Sequence, residues 1–132
     1  MNADDYLGEV RALVLADPLV THWLIVREES EGDAGLYRYR LTLIDGSLLE
    51  AFEWFEIVEA VSARTLKYSF HWQAADGTLI SRWDNAPHHP EIATAPDHVH
   101  SGGENIVQPS SALSLRDVLA FIERQARQGR TA

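Results

Sequence analysis

Residues 66–84 read LKYSFHWQAADGTLISRWD, and this stretch carries the pattern that decides the fold. Its first part, residues 66–73, alternates bulky and polar side chains with the period of two that is typical of a half-buried β-strand. Residues 78–84 form a second β-rich run, and Asp76-Gly77 lies between the two runs. Asp-Gly in this position favours a tight hairpin, because the central turn residues adopt positive φ angles. The stretch therefore predicts two antiparallel strands.

The register of this hairpin decides which polar side chains become neighbours. A two-residue turn pairs His71 with Arg82 and brings Asp84 to the same face, because directly opposed residues share one face of a sheet. Such a face could act as an acid–base centre in which His71 transfers a proton, Asp84 orients it and Arg82 holds a phosphate. Two alternatives stay open. The face could be a solvated surface with weak ion pairs, and a four-residue loop would pair His71 with Ile80 instead.

Outward from this hairpin, similar signals predict the rest of an antiparallel sheet. A second Asp-Gly step, Asp45-Gly46, separates the β-rich residues 36–44 from residues 47–61, and residues 23–30 form an earlier β-rich run. Strands joined by short turns favour an antiparallel meander, which tolerates one solvated face. The sequence therefore predicts about five to six strands.

Two segments show helical rather than strand periodicity. Apolar residues recur at helical spacing in residues 3–16 and 114–128, and the second segment begins with an S-x-x-D capping signature. The predicted fold class is therefore α+β, an antiparallel sheet with N- and C-terminal flanking helices. The length favours a single domain over residues 1–132, with a frayed tail at residues 129–132.

The hairpin at Asp45-Gly46 gives separate predictions for its side chains. In its glutamate-rich strand, Phe52, Trp54 and Phe55 are expected to fill the core, and the glutamates are expected on the solvated side. Arg38 and Arg40 share a strand face, where ion pairs with those glutamates are favoured over an anion site.

Histidines concentrate in one part of the chain. Five of the six lie between residues 71 and 100. Residues 85–111 show no periodicity but contain four prolines, which predicts a long loop that is either functional or disordered. His98 and His100 are two residues apart, so on a strand they would point to one side. Together with His88 or His89 they could chelate a divalent metal. The alternative is that these are solvated loop histidines.

The composition excludes several classes of protein. The chain of 132 residues has no cysteine, which excludes thiol catalysis, disulfides and Cys–zinc sites. Glycine-rich phosphate loops, G-x-S-x-G and H-E-x-x-H are absent from the sequence. The formal net charge of −9 opposes non-specific binding to duplex nucleic acid but suits a basic protein partner. Without a membrane-spanning run or a secretory signal, the expected location is the cytoplasm, with no membrane contact.

The stretches YSFHWQAADGTLISRWDNAPHHPEI (68–92) and PDHVH (96–100) resemble the TumE family, small bacterial and archaeal toxins of a toxin–antitoxin system. The resemblance extends in outline over nearly the whole chain. The family pattern runs Y-S-x-H-W-Q, D-G-x-L-I, R-W-D-N-A-P-H-H and F-P-H-H-x-H. The sequence departs from it at Ala95 and Asp97, where the family has Phe and His. The resemblance implies a growth-inhibiting toxin that is neutralised by an antitoxin with a DNA-binding helix-turn-helix domain.

By analogy with other small toxins, the hypothesis is a histidine-dependent ribonuclease with RNA as substrate. One histidine would deprotonate a 2′-hydroxyl, another would protonate the leaving 5′-oxygen, and Arg82 would stabilise charge on the phosphate. The residues expected to carry catalysis are His71, Arg82, Asp84, His88, His89, His98 and His100. A non-enzymatic protein-interaction module and a metal-dependent hydrolase that uses the histidine-rich loop stay open as alternatives. No organic cofactor is expected. A divalent metal, with His98 and His100 as candidate ligands, and a homodimer are left open.

Overall fold

The computed structural model describes the backbone of residues 1–131 and the side chains of residues 1–128. Two helices and seven strands occur in this part of the chain. They are α1 (Ala3–Ala16), β1 (Val20–Glu31), β2 (Ala34–Leu43), β3 (Leu48–Val58), β4 (Ser62–Gln73), β5 (Leu79–Asp84), β6 (His98–Ser101), β7 (Val107–Pro109) and α2 (Leu115–Thr131). Of the tail predicted to fray, residues 129–131 are described only as helical backbone, and Ala132 lies outside the described residues.

The strands form one sheet in the order β1 to β7, and each strand pairs antiparallel with the next along the chain. The predicted α+β class, an antiparallel meander with flanking helices, is confirmed. The prediction that residues 85–111 form one long loop is wrong, because β6 and β7 lie inside that segment. These strands have only four and three residues, which is too short for an alternating pattern to stand out.

Both helices begin with reciprocal side-chain caps. Ser114 N–H donates to Asp117 Oδ2 at 3.0 Å, and Asp117 N–H donates to Ser114 Oγ at 3.2 Å, so the predicted capping signature of α2 is confirmed. Asn2 and Asp5 cap α1 in the same way. These contacts satisfy backbone donors that have no partner within a helix. Neither helix, as far as the structure describes them, has the length and apolar character needed to cross a bilayer.

The core lies between the helices and one face of the sheet. Its fully buried members include Val14 of α1, Val118 and Leu119 of α2, and Tyr37, Tyr39, Leu41, Leu49, Phe55 and Phe70 of the sheet. These positions alternate along the strands, and burying a side chain of this size contributes about 1.5–3 kcal/mol. The alternation leaves the opposite sheet face polar.

Three expectations for β3 are corrected by this alternation. Phe55 is fully buried as predicted, but Trp54 is 47% exposed and Phe52 lies half-buried on the polar face. Glu53, predicted on the solvated side, points into the core. Its carboxylate is stabilised there by three hydroxyl donors, from Tyr6 at 2.8 Å, Tyr37 at 2.9 Å and Thr65 at 2.5 Å.

Both Asp-Gly hairpins use a three-residue turn, whereas the predicted register at Asp76-Gly77 rested on a two-residue turn. In the hairpin between β4 and β5, Ala74 N–H donates to Thr78 O at 2.8 Å, and Gly77 has a φ of +92°. Leu43 N–H and Ser47 O form the equivalent bond between β2 and β3, also at 2.8 Å. The final glycine of each turn adopts the left-handed conformation, which glycine tolerates without strain.

The predicted pairing of His71 with Arg82 is not affected by this change of turn. Gln73 pairs with Leu79, whereas a two-residue turn would pair it with Ile80. The register then shifts at a bulge that leaves Ile80 as an extra residue. Beyond the bulge, His71 pairs with Arg82. The two-residue turn was therefore wrong, but the predicted pairing of the polar residues is confirmed, because the bulge compensates for the longer turn.

Candidate active site

A polar pocket of about 360 Å³ lies on the sheet face opposite the helices. Side chains from β2 to β6 line it, together with Ala86, His88 and His89 of the segment that follows β5. Its charged and titratable side chains are Arg38, Lys67, Arg82, Asp84, His88, His89, His98 and His100. Cations and imidazoles thus share one concave surface, which is a common form for a ligand site.

The sheet register assembles this surface from distant parts of the chain. Two rows of direct neighbours run across β4, β5 and β6. The rows are Ser69, Asp84 and His98, and His71, Arg82 and His100. The two histidines of β6 are two residues apart and therefore emerge on the same face, beside the side chains of β5.

The centre of the pocket is a buried group of two imidazoles and one carboxylate. His98 and His100 are 2% and 5% exposed, and their Nε2 atoms lie 3.2 Å apart. Asp84 Oδ1 lies 3.1 Å from His98 Nε2, and Asp84 Oδ2 lies 3.8 Å from His100 Nε2. The two Nε2 atoms therefore face each other and the carboxylate.

Backbone carbonyls fix the tautomer of both rings. His98 Nδ1 lies 2.8 Å from Pro96 O, and His100 Nδ1 lies 2.8 Å from Glu104 O. A carbonyl oxygen only accepts, so each Nδ1 carries the proton and donates it. In the neutral rings, both Nε2 atoms then present lone pairs to the pocket, where they are free to accept a proton or to bind a metal.

His89 adds a third imidazole to this group. Its ring centroid lies 5.0 Å from that of His98 and 5.7 Å from that of His100. One ring nitrogen from each of the three lies within 4.8 Å of the others. His89 Nδ1 lies 3.2 Å from Glu91 Oε1. Of the two neighbouring histidines that the sequence offered as a third ligand, the structure brings His89 to the pair on β6.

Three cations surround the histidines. Arg82 Nε donates to Asp84 Oδ2 at 3.3 Å, and its two terminal nitrogens donate to Glu104 at 2.7 and 2.5 Å. Arg38 lies over the Phe52 ring, 4.7 Å from its centroid. Lys67 is exposed, and no acidic side chain among the described residues forms an ion pair with it. The pocket therefore offers at least one uncompensated positive charge.

Six of the seven residues predicted to carry catalysis line this pocket. His88 is exposed at its rim. His71 lies outside it, because its Nε2 atom contacts Gln73 Oε1 at 3.0 Å and its side chain lines a separate hollow with Arg40 and Glu50. His71 therefore pairs with Arg82 in the sheet but does not line the pocket.

Sequence reasoning missed several residues of the pocket. Lys67 precedes Ser69 by two positions, so strand alternation would have placed it on the site face. Arg38 pairs with Glu50 at 2.8 Å, as expected, but also reaches the pocket. Tyr68 donates its hydroxyl to Asp97 Oδ1 at 2.8 Å, and burial, with this contact, raises the pKa of Tyr68 above its ordinary value. No local sequence pattern predicts that contact.

Comparison with known proteins gives one family. The sequence model of the family described as Toxin TumE matches residues 10–126, which is most of the chain. No curated protein and no solved structure matches.

Proposed function

The chain belongs to the TumE toxin family, and on this premise we propose that it inhibits growth by cleaving RNA in the histidine pocket. Family membership gives the chain a toxin role within a toxin–antitoxin partnership. The observation that carries the proposed activity is the placement of cations and imidazoles around one pocket. Cationic side chains bind phosphodiesters, and imidazoles transfer protons near neutral pH.

The cations of the pocket suit a phosphate group. Lys67 brings a charge that no described carboxylate neutralises. Arg82 is held by Glu104 in a bidentate pair, but the Glu104 side chain is 54% exposed, so solvent and a competing anion reach it. A phosphate also binds a guanidinium through two parallel hydrogen bonds and can therefore compete with Glu104 for Arg82. The volume of about 360 Å³ fits a nucleotide of a single strand better than a duplex.

The proposed reaction is transesterification. The 2′-hydroxyl oxygen attacks the adjacent phosphorus, and the bond from phosphorus to the 5′-oxygen breaks. One imidazole, for which the exposed rim residue His88 is proposed, takes the 2′ proton. A protonated imidazole of the buried group supplies a proton to the departing 5′-oxygen. The products are a 2′,3′-cyclic phosphate and a 5′-hydroxyl end, and Lys67 and Arg82 offset the charge that develops on the phosphate oxygens.

We also propose that an antitoxin with a DNA-binding helix-turn-helix domain neutralises this protein. DNA-binding domains carry basic surfaces, and the net charge of −9 on this chain favours their association. Action on cellular RNA would place the pair in the cytoplasm. Co-expression of the antitoxin should restore growth and should allow the two proteins to be purified as a complex.

RNA cleavage by the purified full-length chain tests the activity. The wild type should convert a 5′-labelled single-stranded RNA to fragments with 2′,3′-cyclic phosphate ends, and Lys67→Ala should lower kcat/KM by about tenfold, the loss of about 1.4 kcal/mol of binding. Arg64→Ala is the matched control, because Arg64 is also an exposed cation of β4 but pairs with Glu56 outside the pocket. A wild type that arrests growth but cleaves no RNA would refute the proposal and favour a protein-interaction module.

A further inference from the structure

We infer that His89, His98 and His100 bind a divalent transition-metal ion through their Nε2 atoms. The site deepens the proposed function, because it identifies the group that supplies positive charge beside the scissile phosphate. Only this catalytic role rests on the proposed ribonuclease activity. The binding of the ion follows from the geometry of the three rings alone.

The outward nitrogen of every ring already has a hydrogen-bond partner. His98 Nδ1 and His100 Nδ1 contact backbone carbonyls at 2.8 Å, and His89 Nδ1 contacts the Glu91 carboxylate at 3.2 Å. Metal-bound histidines almost always donate their second N–H to a carbonyl or a carboxylate, which fixes the tautomer and turns the other nitrogen toward the metal. All three rings of this cluster show that arrangement.

The inward nitrogens need a cation between them. Two neutral imidazoles whose Nε2 lone pairs face each other at 3.2 Å repel, and Asp84 adds negative charge 3.1 Å from His98 Nε2. A proton shared among these atoms, or a metal ion, would relieve the repulsion. The third ring distinguishes the two, because a shared proton needs no His89, whereas a metal gains a third ligand within 4.8 Å.

The ligand set selects the class of metal. Imidazole nitrogens suit Zn²⁺, Ni²⁺, Cu²⁺ and Fe²⁺, whereas Mg²⁺ and Ca²⁺ prefer oxygen ligands. Three histidines leave a fourth position for water or substrate, as in catalytic rather than structural zinc sites. That position would face the pocket that also contains Lys67 and Arg82.

In the proposed reaction the ion would bind a non-bridging phosphate oxygen. It would offset the charge on the phosphate without any change of oxidation state. Water bound to the ion would then give its proton to the departing 5′-oxygen in place of an imidazolium, and the resulting hydroxide would be reprotonated from solvent. The 2′,3′-cyclic phosphate and 5′-hydroxyl products stay the same.

Calorimetric titration of the chelator-treated full chain, prepared without a histidine tag, tests the site. Zn²⁺ should bind with a stoichiometry of one, whereas Mg²⁺ should not compete. His98→Ala should abolish binding, and circular dichroism should show whether that variant folds. Glu91→Ala is the second variant, because Glu91 is exposed and the substitution removes only the acceptor of the His89 Nδ1 proton. Its affinity should fall by about 10–100-fold, as expected for an outer partner of a metal ligand.

Two controls make the result decisive. Glu31→Ala removes another exposed glutamate side chain, and His22→Ala removes the histidine of β1; both variants should bind Zn²⁺ as the wild type does. Failure of the wild type to bind one Zn²⁺, or unchanged binding by folded His98→Ala and by Glu91→Ala, would overturn the site. Zn²⁺ binding without RNA cleavage would refute only the ribonuclease. Cleavage at full rate in a chelator that removes Zn²⁺ would refute only the catalytic role of the ion.

Discussion

Alkaline pH should unfold this protein, because all four of its tyrosine hydroxyls donate to carboxylates. The pairs are Tyr6 and Tyr37 with Glu53, Tyr39 with Glu28, and Tyr68 with Asp97. Burial in the first place, and then the neighbouring carboxylate, raise the pKa of each phenol above its usual value. A folded protein in which a tyrosine ionises would hold two adjacent negative charges away from water.

The sign and the size of the effect follow from proton binding. The unfolded chain releases tyrosine protons near pH 10, whereas the folded chain retains them, so the stabilisation present below about pH 10 is lost as the pH rises. Tyr37, Tyr39 and Tyr68 are at most 3% exposed and count in full, whereas the half-buried Tyr6 counts for less. Each of the three removes about 1.4 kcal/mol at about pH 11 and about 2.7 kcal/mol at about pH 12.

Together the three buried tyrosines therefore cost about 4 kcal/mol at about pH 11 and about 8 kcal/mol at about pH 12, against a total stability of about 5–15 kcal/mol. Unfolding is expected between these pH values. Tyrosinate absorbance and far-ultraviolet circular dichroism, recorded on one titration, should change together. The reasoning fails if tyrosinate forms with a midpoint near pH 10 while the dichroism stays native.

Three further predictions concern single residues. In Gly35→Ala the new Cβ would lie 2.7 Å from Phe55 Cζ, so urea denaturation should show a loss of about 1–3 kcal/mol in the free energy of unfolding. Gly8→Ala is the control, because Gly8 lies in an open position of α1 and its substitution should not destabilise the fold. Equal stabilities of the two variants would contradict this prediction. Ser114→Ala should lose about 0.5–2 kcal/mol in the same assay, because it removes the cap of α2, and no change would exclude that cap as a stabilising contact. Lys67→Ala should lower the slope of log affinity for single-stranded RNA against log salt by about 0.7, and an unchanged slope would show that Lys67 contacts no phosphate.

Much of the fold was predictable because the strands from β1 to β4 are long and two of the hairpins have Asp-Gly turns. Alternation and turn chemistry are local signals, so the two hairpins could be read from the sequence. The register of the hairpin between β4 and β5 depends on a three-residue turn and on the bulge at Ile80, which shift the pairing in opposite directions. The correct pairing of His71 with Arg82 therefore came from an assumption about the turn that the structure does not share.

The parts that the sequence did not reveal depend on tertiary contacts. Four residues of β6 and three of β7 become strands because neighbouring strands offer unpaired backbone groups, not because of their own pattern. Glu53 is buried because Tyr6 and Tyr37, from two other elements, satisfy its carboxylate. Glutamate patterns alone predict solvent exposure.

In the candidate site, too, some features follow from local sequence patterns and others depend on tertiary contacts. The histidine-rich segment supplies four residues of the pocket, since His88, His89, His98 and His100 all line it. His71 was grouped with them because it shares a row with Arg82, but a row crosses the whole sheet and a pocket covers only part of it. The pocket also needs Ala86, His88 and His89 from the segment after β5, and no local pattern specifies that these residues contribute to it.

RNA cleavage by His88→Ala and His71→Ala is the most direct test of the claim that the pocket, and not the neighbouring row, carries the activity. His88→Ala should lower kcat/KM by about 10²–10⁴-fold, the usual loss for a proton-transferring group. His71→Ala should stay within about twofold of the wild type, as expected for a surface substitution outside the site. Wild-type cleavage by His88→Ala, or loss of cleavage in a folded His71→Ala, would contradict the account.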